Sequence, residues 1–451
     1  MKCYLKVTRG EMTSALYSHN IKQGKWESKR CVLELVGSRG SRKTSFVLDY
    51  FSSKRHFYFS FQGLDEPMAR KLLAGRLEAI ATSWTGIFSA LNDMAMHTNI
   101  ILFDDLDDIV TDKIFSAALQ AYIDDPARRK VFLVLIHNKN TKLDTLELIS
   151  HTIAVPYCSI AEIKKSCPER TGQEALLLYT LSGGIPEIVN SFDDQSSIQE
   201  NLRRMLCNKS PLLCFAEETL AHHFRRPEGY AMILYALATG HTRISEIGGF
   251  TDFAYNKCDK YIKALIACGL VQKEKIKAES GVEKTSYKIS NPYYQNWFEY
   301  IYPNRDRIVL GTFSEWFLAN ALPKIVDEYL EYEYIAACFR AVHGRLDTYL
   351  PIAIRDMVAY NPYRIAKDNF DYTFDCFAKS GRQAVFVKIF HGEHEIVGRE
   401  HLAELERAIA LCHRYVDSHI YLFSKRRFGD YAVHDASVTP VKLFTVERLK
   451  F

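Results

Sequence analysis

The stretch CVLELVGSRGSRKTS, residues 31–45, combines a largely apolar run with a glycine-containing loop and a Lys-Thr pair. The apolar run predicts a buried strand, and the residues from Lys43 onward predict the beginning of a helix. The loop matches the phosphate-binding template G-x-x-x-x-G-K-[ST] at Gly37, Lys43 and Thr44, whereas Arg42 stands where the template has its second glycine. These residues therefore predict a phosphate-binding strand, loop and helix with one altered position.

Each residue of this loop has a chemical role in the prediction. Lys43 would reach the terminal phosphates of a nucleotide, Thr44 would bind Mg²⁺, and backbone N–H groups at the start of the helix would surround the phosphate oxygens. The Arg42 side chain would crowd the phosphates, and Gly40 would partly compensate by adding backbone freedom. The expected nucleotide contacts in the loop are Gly37, Gly40, Arg42, Lys43, Thr44 and Ser45. The alternative is a strand-to-helix turn that has lost its ligand.

Further apolar runs follow this loop and alternate with helical stretches. With the first run included, they cover residues 31–36, 56–61, 99–103, 130–136 and 152–155. Short continuous apolar runs are typical of strands buried on both faces, and strand-helix alternation is typical of a parallel sheet. We therefore predict a doubly wound α/β domain over residues 1–160, with the loop at the end of its first strand.

Two adjacent acids end the third of these runs. Asp104 is placed to bind Mg²⁺, and Asp105 is placed to activate water as a catalytic base. Aspartate is one methylene shorter than glutamate, so Asp105 would hold its carboxylate further from the attacking water than a glutamate at this position would. The alternative is an ordinary strand followed by a solvated acidic turn that also contains Asp107 and Asp108.

Composition limits the class of protein. The chain has 451 residues, of which 47% are hydrophobic, enough for about three domains with cores of their own. A net charge of +4 gives no global attraction to nucleic acid or to a membrane. The 11 cysteines form no C-x-x-C pair, so we expect buried thiols rather than a zinc site or a disulfide framework. No stretch has the pattern of a signal peptide or a membrane span, and the expected location is cytoplasmic.

A glycine pair interrupts the helical stretch after residue 160, in the sequence Gly183-Gly184-Ile185-Pro186. By local chemistry alone, these residues end one helix and begin another. Together with the upstream loop, however, the chain resembles a family of archaeal-type P-loop ATPases of the AAA+/STAND-like group. The resemblance rests on the order of the motifs, includes a loose match to an N-terminal motif at residues 8–11, and covers nearly the full chain.

The resemblance implies a four-part organisation. Its parts are a P-loop ATPase domain with a parallel sheet at 1–160, a helical lid at 161–222, a winged helix-turn-helix at 223–300, and a degenerate restriction-nuclease-like α/β domain at 301–451. Related ATPases place a polar residue after the fourth strand to sense the γ-phosphate, and Asn138 occupies that position. The resemblance also implies that Pro186 contacts the adenine base.

Residues 223–300 have the pattern of a winged helix-turn-helix. Helical runs at 230–239, 244–247 and 253–268 precede a charged hairpin. In such modules the third helix enters the major groove of DNA, and the donors that it would supply here are Asn256, Lys257 and Lys260. The alternative is a module that only packs against the nucleotide domain.

The resemblance implies a PD-(D/E)XK nuclease-like core in residues 301–451. Glu315 matches the helix acid, Asp375 the strand acid and Lys388 the lysine of that motif. Phe386 stands where the second strand acid belongs, and an aromatic ring cannot bind a metal ion. We therefore expect a nuclease-like fold without nuclease activity. The alternative for the three polar residues is an ordinary role in salt bridges.

The leading hypothesis is an ATP- and Mg²⁺-binding regulatory ATPase whose hydrolysis is slow because Arg42 and Asp105 depart from the pattern. A second hypothesis is a nucleotide-independent DNA-binding or scaffold protein, and a third is an active metal-dependent nuclease, which Phe386 disfavours. The sequence leaves open whether DNA, another protein or further copies of the chain are partners. Four arginines are candidates, without a motif, for a finger that reaches a neighbouring subunit: Arg203, Arg204, Arg225 and Arg226.

Overall fold

In the computed structural model, the described residues are 31–94, 100–125, 131–138, 151–207, 209–277, 283–329, 334–335, 338–339, 358–360, 363–367, 370–390, 396–411, 417–424, 427–430 and 441–445. The N-terminal motif expected at residues 8–11 lies outside them. No helix in these ranges is long and apolar enough to cross a bilayer.

The N-terminal sheet has five parallel strands in the order β2-β3-β4-β1-β5. The strands are β1 (Cys31–Gly37), β2 (Phe57–Ser60), β3 (Ile100–Asp104), β4 (Phe132–Asn138) and β5 (His151–Ala154). Each lies within two residues of its predicted apolar run, so the prediction of a parallel α/β sheet is confirmed. Because β4 lies between β1 and β3, the carboxyl ends of these three strands are neighbours.

Helices cover both faces of this sheet, as strands that are apolar throughout require. On one face lies α1 (Lys43–Tyr50), and on the other lie α2 (Glu66–Arg76), α3 (Trp84–Met94) and α4 (Lys113–Asp124). Side chains of β3 alternate between the two cores, since Leu102 packs with the α1 side and Phe103 with the other. The centre of the sheet is therefore buried between two apolar cores.

Five helices follow the sheet. They are α5 (Ile160–Ser166), α6 (Gly172–Ser182), α7 (Pro186–Val189), α8 (Ile198–Leu206) and α9 (Pro211–His223). Helices α5, α6 and α8 begin with capping boxes, in which a Ser or Thr and a Glu three residues later satisfy each other's backbone N–H groups. As predicted, α6 ends at Gly183, which has a φ of 61°.

Three helices and a hairpin come next, in the predicted order. They are α10 (Glu228–Ala238), α11 (Ile244–Thr251), α12 (Tyr255–Ala267) and the antiparallel strands β6 (Val271–Lys277) and β7 (Glu283–Ile289). Helix α12 buries Cys258, Ile262 and Leu265 and leaves its opposite side in solvent. After β7 come the short helices α13 (Pro292–Asn296) and α14 (Arg305–Val309). A longer helical segment then begins with α15 (Phe313–Trp316) and continues through α16 (Leu322–Lys324), with wider π-type turns after each.

The C-terminal sheet is mixed and has the order β16-β14-β12-β11-β8. Its strands are β8 (Val358–Tyr360), β11 (Cys376–Ser380), β12 (Gln383–Phe390), β14 (Asp417–Ser424) and β16 (Val441–Thr445). The outlying pairs are β9 (Tyr363–Lys367) with β10 (Phe370–Phe374), and β13 (Ile396–Val397) with β15 (Arg427–Phe428), and α17 (Arg399–Ala410) follows β13. Strand β11 runs antiparallel to both neighbours. The prediction that Asp375 lies within a strand is wrong: it is at the bend between β10 and β11, where its N–H still bonds Val387 of β12 at 3.0 Å.

One continuous hydrophobic cluster extends from Cys158 to Phe423. It joins helices α5 to α16 and the hairpin to one face of the C-terminal sheet, while the opposite face of that sheet packs a core of its own. The predicted domain limits at 222 and 300 fall inside this cluster, and they remain predictions about organisation.

Candidate nucleotide-binding site

The loop between β1 and α1 folds around the ammonium group of Lys43. Lys43 Nζ donates to the carbonyl oxygens of Gly37 at 2.9 Å and Ser38 at 3.2 Å, and to Asn138 Oδ1 at 3.2 Å. Burial lowers the pKa of Lys43, and three carboxylates of the β3 end, that of Asp107 foremost, oppose this shift. The end of β1 thus holds a partly desolvated cation, the group that a polyphosphate would require.

The altered template position has an unusual backbone conformation. Arg42 lies in the left-handed region, with φ 63° and ψ 31°, directly before α1. This geometry explains the glycine of the template, because a residue with a side chain loses about 1–2 kcal/mol in this conformation. Arg42 provides no side-chain cap, and the first turn of α1 has no acidic residue. The N–H groups at the start of α1, which include those of Thr44 and Ser45, therefore form an anion-compatible end.

Neighbouring atoms leave no room for a side chain at either glycine of the loop. A Cβ at Gly37 would lie 2.5 Å from Ser41 Oγ and 2.6 Å from the Val155 carbonyl oxygen. At Gly40, which has a φ of 77°, a Cβ would lie 2.6 Å from the ring of Phe215 on α9. The buried Ser41 hydroxyl has no hydrogen-bond partner within the described ranges, as expected of a group that a ligand completes.

The two residues predicted to bind Mg²⁺ are adjacent. Thr44 Oγ1 donates to Asp104 Oδ2 at 2.5 Å, and the Tyr58 hydroxyl donates to the same oxygen at 3.0 Å. Asp104 is 1% exposed, and this burial raises its pKa, with the nearby Asp105 adding to the shift. A hydroxyl beside a carboxylate is an oxygen donor set that suits Mg²⁺.

The predicted base, Asp105, is turned toward β2. Its Oδ2 accepts a hydrogen bond from Ser60 Oγ at 2.8 Å, and its backbone N–H donates to Asp104 Oδ1 at 2.8 Å. Asp105 has a φ of 55°, so its backbone conformation is strained for a residue with a side chain. In this arrangement the carboxylate is engaged with Ser60, and its catalytic role stays a prediction.

Asn138, the last residue of β4, lies between the loop and the acids. Besides accepting from Lys43, it donates through its backbone N–H to Asp107 Oδ1 and through Nδ2 to Asp107 Oδ2, both at 2.9 Å. The sequence assigned Asp107 only to an acidic turn. Its place in the site depends on the adjacency of β3 and β4, which no local pattern indicates.

A second residue that the sequence did not indicate, Arg39, connects the loop to α9. Its guanidinium donates to Glu218 Oε2 at 3.0 Å and to Thr219 Oγ1 at 3.2 Å, and it lies 5.0 Å from the centre of the Phe215 ring. The Tyr157 hydroxyl donates to the Arg39 carbonyl oxygen at 2.8 Å. The tip of the loop is thereby attached to the helical region.

The last turn of α9 also reaches the site. Burial, the neighbouring His222 and the charges of Arg39 and Lys43 together lower the pKa of His223 to about 4, with burial the largest cause. The Asp107 carboxylate opposes this shift. His223 therefore lies within electrostatic range of the loop as a neutral imidazole at pH 7.

Pro186, the predicted adenine contact, is buried at the start of α7. The neighbouring Ile185 packs toward Gly40. If Gly40 had a Cβ atom, that atom would lie 3.4 Å from Ile185 Cγ2. The Gly-Gly-Ile-Pro turn thus lies against the loop. A contact between Pro186 and a base requires that the ring become accessible, and this contact stays a prediction.

No protein-family model and no curated protein sequence matches this chain. Among solved structures, a Walker-type ATPase of Pyrococcus abyssi is similar at 15% identity and a TM-score of 0.45, covering 66% of this chain and 99% of that chain. The Orc1 protein of Aeropyrum pernix in complex with DNA has 10% identity and a TM-score of 0.36, with coverages of 68% and 94%. A STAND signal transduction ATPase with a tetratricopeptide repeat sensor from Pyrococcus horikoshii has 14% identity and a TM-score of 0.30, with coverages of 73% and 52%. The chemistry of the site itself therefore has to carry any functional inference.

The residues predicted to bind DNA lie on the exposed side of α12. Asn256, Lys257 and Lys260 all have exposed side chains. The Lys257 ammonium lies 3.5 Å from the centre of the Phe253 ring, a cation–π contact that holds it at the surface. The structure thus groups these donors on one accessible surface, and their role stays a prediction.

The structure brings together two of the three residues of the predicted nuclease-like site. Lys388 Nζ is 3.6 Å from Asp375 Oδ2, which also accepts from the Ile389 N–H at 2.7 Å. The Glu315 carboxylate instead forms a salt bridge with Arg203 of α8 at 3.0 Å. Arg203, one of the four candidates for an arginine finger, therefore has a partner within its own chain. Within the described ranges, no group of three or more His, Cys, Asp or Glu side chains is arranged to hold a metal ion.

Phe386 belongs to an aromatic cluster in the C-terminal core. It is fully buried, and its ring centre lies 5.0 Å from each of the Phe374 and Phe377 ring centres. Because alternate residues of a strand share a face, Phe386 is on the same side of β12 as Lys388. A hydrophobic contact therefore occupies the position that the motif gives to a carboxylate.

Proposed function

We propose that this chain binds ATP with Mg²⁺ at the ends of β1, β3 and β4 and acts as a regulatory ATPase of the AAA+/STAND-like type with slow hydrolysis. One observation carries the proposal: the Lys43-Thr44 pair, Asp104 and Asn138 come from three distant segments of the sequence and converge at three neighbouring strand ends. A cation for phosphate, a hydroxyl and carboxylate for Mg²⁺, and an amide for the terminal phosphate are the parts that phosphoryl chemistry uses.

Nucleotide binding requires a rearrangement of the loop. Lys43 is bonded to the carbonyl oxygens of Gly37 and Ser38 and to Asn138 Oδ1, so its ammonium has to exchange at least one of these three bonds for a bond to a phosphate oxygen. Bound Mg²⁺ would neutralise phosphate charge, and Thr44 and Asp104 would hold it. The orphan Ser41 hydroxyl and the N–H groups of α1 supply further donors.

Slow hydrolysis follows from the state of Asp105. The carboxylate is bonded to Ser60 on β2 and has a shorter side chain than glutamate. A base has to come within about 3 Å of the attacking water, directly or through one water. The bond to Ser60 holds the Asp105 carboxylate on the β2 side, and this placement would slow its approach to the attacking water.

The regulatory part of the proposal depends on the contact between the loop and α9. Arg39 and Gly40 lie next to the phosphate-binding residues, and both touch α9. Rearrangement of the loop around a nucleotide therefore alters the packing of α9. Helix α9 belongs to the hydrophobic cluster that continues to the C-terminal sheet. Nucleotide binding can therefore change the orientation of the helices and C-terminal sheet in this cluster relative to the N-terminal sheet.

Calorimetry with ATP and Mg²⁺ tests this function directly. Saturable heat is expected for the natural chain, with an affinity that increases when Mg²⁺ is present. Replacing Asp104 with asparagine should reduce this Mg²⁺ effect about tenfold, because a neutral amide is the poorer ligand. Asp108→Asn is the matched control, since it removes the same charge from an exposed neighbour. Absence of heat from the natural chain would refute the proposal, and an unchanged Mg²⁺ effect in Asp104→Asn would remove Asp104 from the site.

DNA binding by α12 is a second candidate function. Three helices followed by an antiparallel hairpin have the element order of a winged helix-turn-helix, and we infer that α10 to β7 form one. The observation that favours DNA contact is the exposure of Asn256, Lys257 and Lys260 together on the third helix.

Gel shifts at several salt concentrations test this second candidate. A Lys257→Ala and Lys260→Ala double variant should bind DNA more weakly, and the slope of log K against log salt should fall by about 2, because each lysine would neutralise one phosphate. The control is a Lys71→Ala and Arg76→Ala double variant, which removes two exposed charges from α2. Equal DNA affinity in both double variants would favour a packing role for α12.

A further inference from the structure

We propose that Asp107 is a positioning residue that sets the orientation of the Asn138 side-chain amide, and thereby the ability of the site to distinguish ATP from ADP. This inference rests on the proposed nucleotide-binding function and adds a residue to it. It assigns to Asp107 a role that its place in an acidic turn does not suggest.

The hydrogen-bond chemistry leaves one orientation for the amide. An ionised carboxylate only accepts hydrogen bonds and a lysine ammonium only donates them. Asp107 Oδ2 lies 2.9 Å from Asn138 Nδ2, and Lys43 Nζ lies 3.2 Å from Asn138 Oδ1. Rotating the amide by half a turn would place its oxygen against a carboxylate and its N–H group against an ammonium. Asp107 and Lys43 therefore select the same rotamer from opposite sides.

A second contact makes Asp107 a rigid support. Its other oxygen, Oδ1, accepts the backbone N–H of Asn138 at 2.9 Å, so the carboxylate binds main chain and side chain of one residue. Two bonds from one planar group fix direction as well as distance. Asp107 thus anchors Asn138 to the turn that follows β3.

Nucleotide binding should remove the bond between Lys43 and the Asn138 amide and leave the bond between Asp107 and that amide in place. Lys43 has to give up at least one of its three bonds to reach phosphate oxygens, and we expect the bond to Asn138 Oδ1 to be among those it gives up, so that this oxygen loses its donor. Asp107 then remains to hold the amide, with one Nδ2 hydrogen engaged and the second available to a terminal phosphate oxygen. ADP lacks that phosphate, so only ATP affinity should depend on the orientation.

The test compares ATP and ADP affinity in Asp107→Asn, measured by calorimetry in the full chain. An amide at position 107 can face Asn138 with either its oxygen or its N–H group, so the orientation of Asn138 is no longer fixed. We expect ATP affinity to fall about tenfold, the usual range for one charge-assisted hydrogen bond, while ADP affinity stays within about twofold. Asp108→Asn, with the same charge change one residue away, should leave both affinities unchanged.

A double variant shows whether Asp107 acts through Asn138. Asn138→Ala should lower ATP affinity by a similar factor, and Asp107→Asn combined with Asn138→Ala should be no weaker than Asn138→Ala alone. If the double variant instead lost ATP affinity by the product of the two single factors, Asp107 would act on ATP binding by a route other than Asn138. Parallel losses of ATP and ADP affinity would also overturn the inference, because they would indicate an effect through the charge of Lys43 or a folding defect. If the natural chain binds neither nucleotide, the proposed function fails, and this inference fails with it.

Discussion

Replacing Lys43 with alanine is expected to weaken ATP binding at least about 100-fold, the largest effect of any single change in the site. In the part of the chain that the structure describes, the Lys43 ammonium bonds Asn138 and lies close to Asp104, and it is partly desolvated, which strengthens its bonds to phosphate oxygens. Loss of two charge-assisted hydrogen bonds at about 1.5 kcal/mol each corresponds to this factor. Calorimetry with ATP and Mg²⁺ measures it.

Two controls separate loss of binding from loss of structure. Lys113→Ala removes an exposed charge from α4 and should leave the affinity unchanged. The circular dichroism spectrum of Lys43→Ala should match that of the natural chain, because the substitution leaves the backbone of α1 intact. If Lys43→Ala binds ATP as well as the natural chain, the loop is a vestigial turn and the nucleotide-independent hypothesis replaces ours.

The Gly183-Gly184 turn should give the largest loss of stability from a single methyl group. Gly184 has a φ of 70°, and a Cβ there would lie 2.1 Å from the carbonyl oxygen of Cys158. That oxygen belongs to backbone, and the Cys158 N–H donates to the Gly184 carbonyl at 2.8 Å, so the two segments cannot separate freely. We expect Gly184→Ala to lower the free energy of unfolding by about 4 kcal/mol, because left-handed strain and overpacking act together.

Gly311→Ala is the matched control for this change. Gly311 has a φ of 71°, and a Cβ there would meet no atom within 4 Å. Gly311→Ala therefore has the backbone strain without the steric clash, and it should lower the free energy of unfolding by about 1 kcal/mol. Urea unfolding followed by circular dichroism compares the two variants. Equal losses would mean that the contact between Gly184 and Cys158 does not constrain the turn.

Local patterns predict the parts of this molecule that local chemistry determines. Continuous apolar runs indicated the five parallel strands, because a strand covered by helices on both faces has no polar side. The Lys-Thr pair lies beside the acids at the end of β3 because the carboxyl ends of parallel strands meet at one edge, and the roles of these residues stay predictions. The stop of α6 was predictable because a glycine there adopts a left-handed conformation.

Contacts between distant segments were not predictable in the same way. Asp107 reaches Asn138 only because β4 inserts between β1 and β3, and strand order is absent from any single motif. Arg39 has no local signal either, because its partners on α9 lie about 180 residues further along the chain. Asp375 was assigned to a strand because it matches the strand acid of the nuclease-like motif, whereas the chain bends there to pass from one pair of strands to the next.

The uninterrupted core from Cys158 to Phe423 gives this protein a mechanical property. Closely packed interiors resist internal deformation, so everything built on that core should pivot together when the Arg39 attachment shifts. A small displacement at the loop would then rotate this rigid part of the molecule, and atoms far from the loop would move further than atoms close to it. Fluorescent probes on the C-terminal sheet would accordingly register events at the phosphates more clearly than probes placed beside them.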